Sequence, residues 1–107
     1  LDIPILLEAR AMGIPIVGEL EVAASLCPAP IVAITGTKGK STTTTLTALI
    51  LQGGKFRTVC IAGNIGVPLV SLVQQKADAF VAEISSFQME TADQFRPQVG
   101  VWINFCP

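Results

Sequence analysis

Four short apolar runs recur along the chain: "PIVAITG" (30–36), "RTVCIAG" (57–63), "ADAFVAE" (77–83) and "QVGVWIN" (98–104). Each is followed by turn or helix residues. Runs this continuous, rich in Val and Ile, have no polar face to turn to water, so they read as strands buried on both faces, as in a parallel sheet. Between the first two, Ser41 to Gln52 carries Leu46, Leu49 and Ile50 at i, i+3 and i+4. That spacing predicts a helix with one apolar face, ended by Gly53-Gly54. Thr42 to Thr45 are poor helix formers, so tertiary packing must hold the first turn. "VPLVSLVQQ" (67–75) reads as a further helix, with Pro68 tolerated in its first turn. Strand alternating with helix predicts an α/β fold: three layers around a mostly parallel, doubly wound sheet with right-handed crossovers.

The first thirty residues have a different pattern. "IPILLEARAMG" reads as a helix, Ile14–Gly18 as a short strand and "VGELEVAASL" as a second helix. Pro28 and Pro30 in "CPAP" (27–30) break any helix that reaches them and mark a boundary. Residues 1–27 are therefore expected to be the tail of a preceding domain plus a connector, and residues 28–107 the first part of an α/β domain.

Composition bounds the partners. The 107 residues, half of them hydrophobic and 14% charged, make at most one domain with a core. A net charge of −1 with no basic run gives no electrostatic case for nucleic acid or an anionic membrane. No apolar run approaches the ~20 residues needed to span a bilayer, and the start shows no secretory leader pattern. Cys27, Cys60 and Cys106 lack C-x-x-C spacing and the chain has no histidine, which argues against an ordinary zinc site and fits free thiols in a reducing cytosol. Trp102 and the five phenylalanines have no basic residues interleaved, so core packing is their expected job. Asp78 and Asp93 read as ordinary surface charges. The chain lacks an initiator Met and stops at "INFCP" just after an apolar run, so a piece of a longer protein is expected.

Chemistry concentrates after the first strand, in "ITGTKGKSTTTTL" (34–46). The usual phosphate-binding pattern G-x-x-x-x-G-K-[ST] calls for a glycine five residues before the second one. Counting back from Gly39 lands on Ile34, and the nearest upstream glycine is Gly36. The context still suits a phosphate cradle: a strand leads in, a helix leads out, and glycines let successive N–H groups aim at one point beside the positive helix end. Lys40 can reach β and γ phosphates as a point charge, and Ser41 stands where a hydroxyl coordinates Mg²⁺. Glu83 closes the third run, where α/β folds place ligand-binding groups. It is either a magnesium-holding carboxylate or a solvated strand end. Ser85, Ser86 and Gln88 form a polar cluster or a plain turn. Asn64, in "AGNIGVP" (62–68), either presents an amide to a ligand or tolerates a left-handed turn.

Taken together, "TGTKGKST" (35–42), "GNIG" (63–66) and "EISSFQME" (83–90) resemble the Mur ligase family, ATP-dependent amide-bond ligases of peptidoglycan synthesis. The family's short loop, T-G-T-x-G-K-[ST]-T, matches without a gap and accounts for the missing glycine. The second and third motifs, with "LDIPILLEARAMGIPIVGELEVA", resemble the branch that adds D-glutamate. The resemblance implies a central ATP-binding domain of P-loop NTPase-like topology, preceded by a UDP-binding domain whose end is residues 1–27. It implies that Gly36, Thr37, Lys38, Gly39, Lys40, Ser41 and Thr42 wrap the ATP phosphates, with Lys40 catalytic on the terminal ones. Ser41 and the catalytic Glu83 would hold Mg²⁺, while Asn64, Ser85 and Gln88 face the UDP-sugar peptide. The substrates implied are ATP, UDP-N-acetylmuramoyl-L-alanine and D-glutamate, handled in the cytoplasm through an acyl phosphate. The family's downstream histidine, its often carbamylated lysine and its C-terminal amino-acid-binding domain have no counterpart here, so this chain alone is expected to be inactive. Two other readings are a folylpolyglutamate synthase, whose loop is commonly G-T-N-G-K-G-S, and a nucleotide-binding module that performs no ligation. A purely structural α/β domain would predict no nucleotide binding at all.

Overall fold

A computed structural model describes residues 3–63, 68–73, 75–89 and 92–105. All four apolar runs become strands: β1 (Ile31–Thr35), β2 (Val59–Gly63), β3 (Ala79–Glu83) and β4 (Val99–Trp102). They form one sheet in the order β2-β3-β1-β4, with every pairing parallel. Four α-helices accompany them among the described residues: α1 (Pro4–Ala11), α2 (Glu19–Leu26), α3 (Lys40–Gly53) and α4 (Ser86–Met89).

Side chains alternate across the sheet, as the pleat requires. Ile31 and Ala33 of β1, Phe80 and Ala82 of β3 and Ala62 of β2 pack on one face with Leu20 and Ala23 of α2, Leu69, Val73, Ile84 and Phe95. Ile34 and Val81 point to the other face and meet Ala48 of α3, with Val32, Leu51, Val59 and Val101 around them. The central strand β3 is buried along its whole length, which explains its unbroken apolar sequence up to Glu83.

Three local expectations are corrected. The face of α3 turned to the sheet is not Leu46, Leu49 and Ile50, which are exposed; Thr44 and Ala48 are buried instead. Only four residues separate β1 from α3, so the helix is held close to the sheet, where small side chains fit. Ser41 is drawn toward Glu83, and Thr44 and Ala48 follow it at helical spacing. The segment 67–75 does not form an α-helix in its described part, only a 3₁₀ turn at Leu69–Ser71, with Ser71 N–H donating to Pro68 O and Leu72 N–H to Leu69 O. α2 already covers that face of the sheet and packs on this turn, so a short link that plugs Leu69 and Val73 into the core suffices. Ile14–Gly18 has no ladder partner among the described residues and is not a strand. Ile14, Ile16 and Val17 are exposed there, and Gly18 serves as the N-cap of α2.

The connections set up the site. From β1 the chain crosses over β3 to reach β2; from β3 it crosses β1 to reach β4. The connections leave these two adjacent strands in opposite directions, which opens a crevice at their carboxyl ends.

Candidate functional site at the carboxyl ends of β1 and β3

The loop after β1 turns on two glycines and leads into a helix start that no side chain caps. Gly36 and Gly39 have φ of +153° and +85°. Gly39 is the N-cap of α3 in the left-handed region, a conformation that side chains with a Cβ resist. No side chain caps this helix start. Thr43 N–H reaches back to Gly39 O at 3.0 Å, but the N–H groups before it have no intrahelical acceptor. Together with the helix dipole they could hold an anion such as phosphate.

Ser41, in the first turn, donates its hydroxyl to Glu83, with Oγ 3.2 Å from Oε2 and 3.4 Å from Oε1. Glu83 is only 7% exposed, and the hydroxyl it meets is neutral. A buried carboxylate needs opposite charge, and a divalent cation would provide it. Among the described residues no group of three or more His, Cys, Asp or Glu gathers into a metal cage. A hydroxyl and a carboxylate suit Mg²⁺, which retains waters and substrate phosphate oxygens in its shell. The residues present therefore fit magnesium. Gly63 makes this placement possible. It lies in register with Glu83, and a Cβ on it would run into the Glu83 carbonyl and lie 2.7 Å from the Glu83 nitrogen.

A cleft of about 390 Å³ opens beside the loop, lined by Thr35, Gly36, Lys40, Ser85, Trp102 and Phe105 among others. Lys40 and Ser85 thus share one cavity, while Lys38 and Thr42 are exposed at the loop and helix start. Ser85 and Gln88 hold each other. Ser85 N–H donates to Gln88 Oε1 at 2.9 Å, and Gln88 N–H donates to Ser85 Oγ at 3.1 Å. This is a capping box at the start of α4, legible in the sequence as S-x-x-Q. Asn64 and Cys106 lie outside the described residues.

Other side chains make contacts that the sequence did not announce. Asn104 accepts from Thr37 N–H at 2.8 Å and Lys38 N–H at 3.1 Å, and donates to Lys38 O at 2.8 Å. Its partners are more than sixty residues away in sequence, so no local pattern announces them. Trp102 is not core packing: it is 70% exposed and stands edge-on to Phe105, with ring centroids 6.2 Å apart. Phe80 and Phe95 do fill the core. Asp78 is more than a surface charge, since its Oδ2 accepts from the N–H groups of Thr58 at 3.0 Å and Arg57 at 2.8 Å. These bonds hold its carboxyl below the ordinary value.

Residues 34–107 match the Mur ligase middle domain. The chain belongs to the Mur ligase family. Curated relatives agree along nearly its whole length. The UDP-N-acetylmuramoylalanine--D-glutamate ligase of Koribacter versatilis is 47% identical over 99% of this chain and 24% of the relative. That of Pelotomaculum thermopropionicum is 52% identical over 89% of this chain and 21% of the relative. The Alkaliphilus metalliredigens ligase of the same name is 47% identical over all of this chain and 24% of the relative. The chain spans about a fifth to a quarter of the length of these ligases. No helix among its described residues is long and apolar enough to cross a membrane.

Proposed function

We propose that the protein carrying this chain is an ATP-dependent ligase that joins D-glutamate to UDP-N-acetylmuramoyl-L-alanine in peptidoglycan synthesis, in the cytoplasm. The chain supplies the end of the UDP-binding domain in residues 1–27 and the first part of the ATP-binding domain in residues 28–107, with P-loop NTPase-like topology. The observation that carries the reading is the meeting of Ser41 with buried Glu83 at the mouth of a phosphate cradle. Beside it stands the identity to relatives named as D-glutamate ligases.

In this reading the N–H groups at the start of α3 bind the ATP phosphates, and Lys40 offsets charge on the terminal ones as the phosphoryl group moves. Ser41 and Glu83 hold magnesium, which when bound adds positive charge at the phosphates. Ser85, fixed by Gln88, faces the UDP-sugar peptide from the wall it shares with Lys40; Asn64 is assigned to the same side. The substrate carboxylate attacks the terminal phosphoryl group and ADP leaves. The amine of D-glutamate then displaces phosphate from the acyl phosphate, giving the amide.

The test is phosphate release by the full-length protein with Mg-ATP and UDP-N-acetylmuramoyl-L-alanine, supplied in turn with D-glutamate, L-glutamate, L-lysine and meso-diaminopimelate. Release only with D-glutamate is expected. Release driven by another amino acid would move the acceptor assignment, and release with no acceptor would leave only a nucleotide hydrolase.

A further inference from the structure

One side chain from just past the edge strand β4 reaches into the loop after β1. Asn104 lies just past β4, where Ile103 N–H donates to Thr35 O at 3.0 Å and prolongs the β1–β4 ladder. Its carboxamide accepts from two consecutive loop N–H groups, Thr37 and Lys38, and returns one N–H to Lys38 O. The Trp102 indole donates to Asn104 O at 2.9 Å and fixes the backbone from which the amide projects. Gly36 leaves room for it: a Cβ there would sit 3.3 Å from Asn104 Oδ1.

We propose that Asn104 is a positioning residue for nucleotide, which keeps its hold on Thr37 and Lys38 while the phosphates are bound. The phosphates are then met by the N–H groups from Gly39 to Thr42, and not by the whole stretch from Gly36. Two N–H donors and one carbonyl in fixed order demand a planar group with an acceptor and a donor side by side, which a carboxamide provides. A carboxylate would lack the donor and put negative charge beside an anion site; an aliphatic side chain would satisfy none of the three. A loop set in advance also spares the nucleotide the cost of ordering it. The proposal rests on the nucleotide-binding reading of the loop and names what holds that loop in shape.

The experiment compares the full-length protein with Asn104→Ala, Gln98→Ala and Lys40→Ala, reading Mg-ATP affinity by calorimetry, thermal midpoint, and hydrogen exchange at the Thr37 and Lys38 amides. Gln98 makes a similar bond between the β4 edge and β1 at the opposite end, its Oε1 accepting from Ile31 N–H at 2.7 Å. Asn104→Ala is expected to weaken Mg-ATP binding by about tenfold, the scale of one or two net hydrogen bonds. Gln98→Ala should lower the midpoint and leave affinity unchanged. In the unsubstituted protein both amides should stay protected when Mg-ATP is added. Full affinity in Asn104→Ala while Lys40→Ala loses binding would overturn the proposal and leave the nucleotide site standing. Equal weakening by Asn104→Ala and Gln98→Ala, or loss of protection on adding Mg-ATP, would also overturn it. Failure of the unsubstituted protein to bind Mg-ATP would remove both.

Discussion

Ser41 and Glu83 are 42 residues apart in sequence and meet through a single hydroxyl, so their roles can be separated from stability. Glu83→Gln keeps an oxygen for Ser41 and removes a buried charge. It should preserve or raise the thermal midpoint while reducing magnesium-dependent phosphate release by roughly 100-fold or more. Titrating magnesium against both proteins and comparing their unfolding curves checks this; equal activity would show that Glu83 is a structural acid. Gly63 makes the opposite case. Its φ of +147° and its contact with the Glu83 backbone leave no space for a methyl group. Gly63→Ala is expected to cost about 1–3 kcal/mol, read as a lower urea midpoint, and to displace Glu83. At this scale the sequence announced Lys40, Ser41 and Glu83, because motif and strand end are local patterns. Asn104 was not legible, since an asparagine after a strand carries no sign of which distant amides it will meet.

Among the elements, α2 acts as a brace. Glu21, one of the acidic residues in its first turn, accepts N–H bonds from Asp93, Gln94 and Phe95, each at 2.8 Å, and so ties the helix to the loop that leads into β4. The Gln94 and Asp93 bonds hold its carboxyl below the ordinary 4.5. A depressed folded value means the bond contributes fully above the unfolded value and is lost as pH falls through the folded one. Urea midpoints should therefore decline as pH falls below the ordinary 4.5 toward the lower folded value, and Glu21→Gln should flatten that decline. An unchanged acid limb would show that the tie contributes nothing. The same scale explains the error over α3. Its apolar period was read as a helix with one apolar face, and that face lies in the open, because a helix pattern shows that a face is apolar without naming what covers it. Rotation was set by the short loop and by Ser41, which turn Thr44 and Ala48 inward.

For the molecule as a whole, the apolar outer face of α3 and the aromatic pair at β4 both lie in the open. Ile50 is 73% exposed and Phe105 70%, and β2 and β4 are sheet edges. Apolar patches and free edges of this kind promote association. The 107-residue chain prepared alone should self-associate at high concentration, with Leu49→Lys and Ile50→Lys together shifting sedimentation toward monomer. A monomer at every concentration would show that these surfaces are tolerated in water.

Sequence alone determined what depends on neighbours along the chain: four parallel-type strands, the glycine-lysine-serine turn into a helix, and the family resemblance that the middle-domain match bears out. Hydrophobic period, turn residues and motif spacing act over a few residues, so each leaves a readable trace. Tertiary structure decided how those pieces face one another. It rotated α3, reduced 67–75 to a 3₁₀ turn where α2 had already covered the sheet, brought Glu83 under Ser41 across a glycine, and passed the Asn104 amide into the loop. These outcomes follow from close packing and from hydrogen bonds such as those of Glu83 and Asn104, made between segments far apart in sequence.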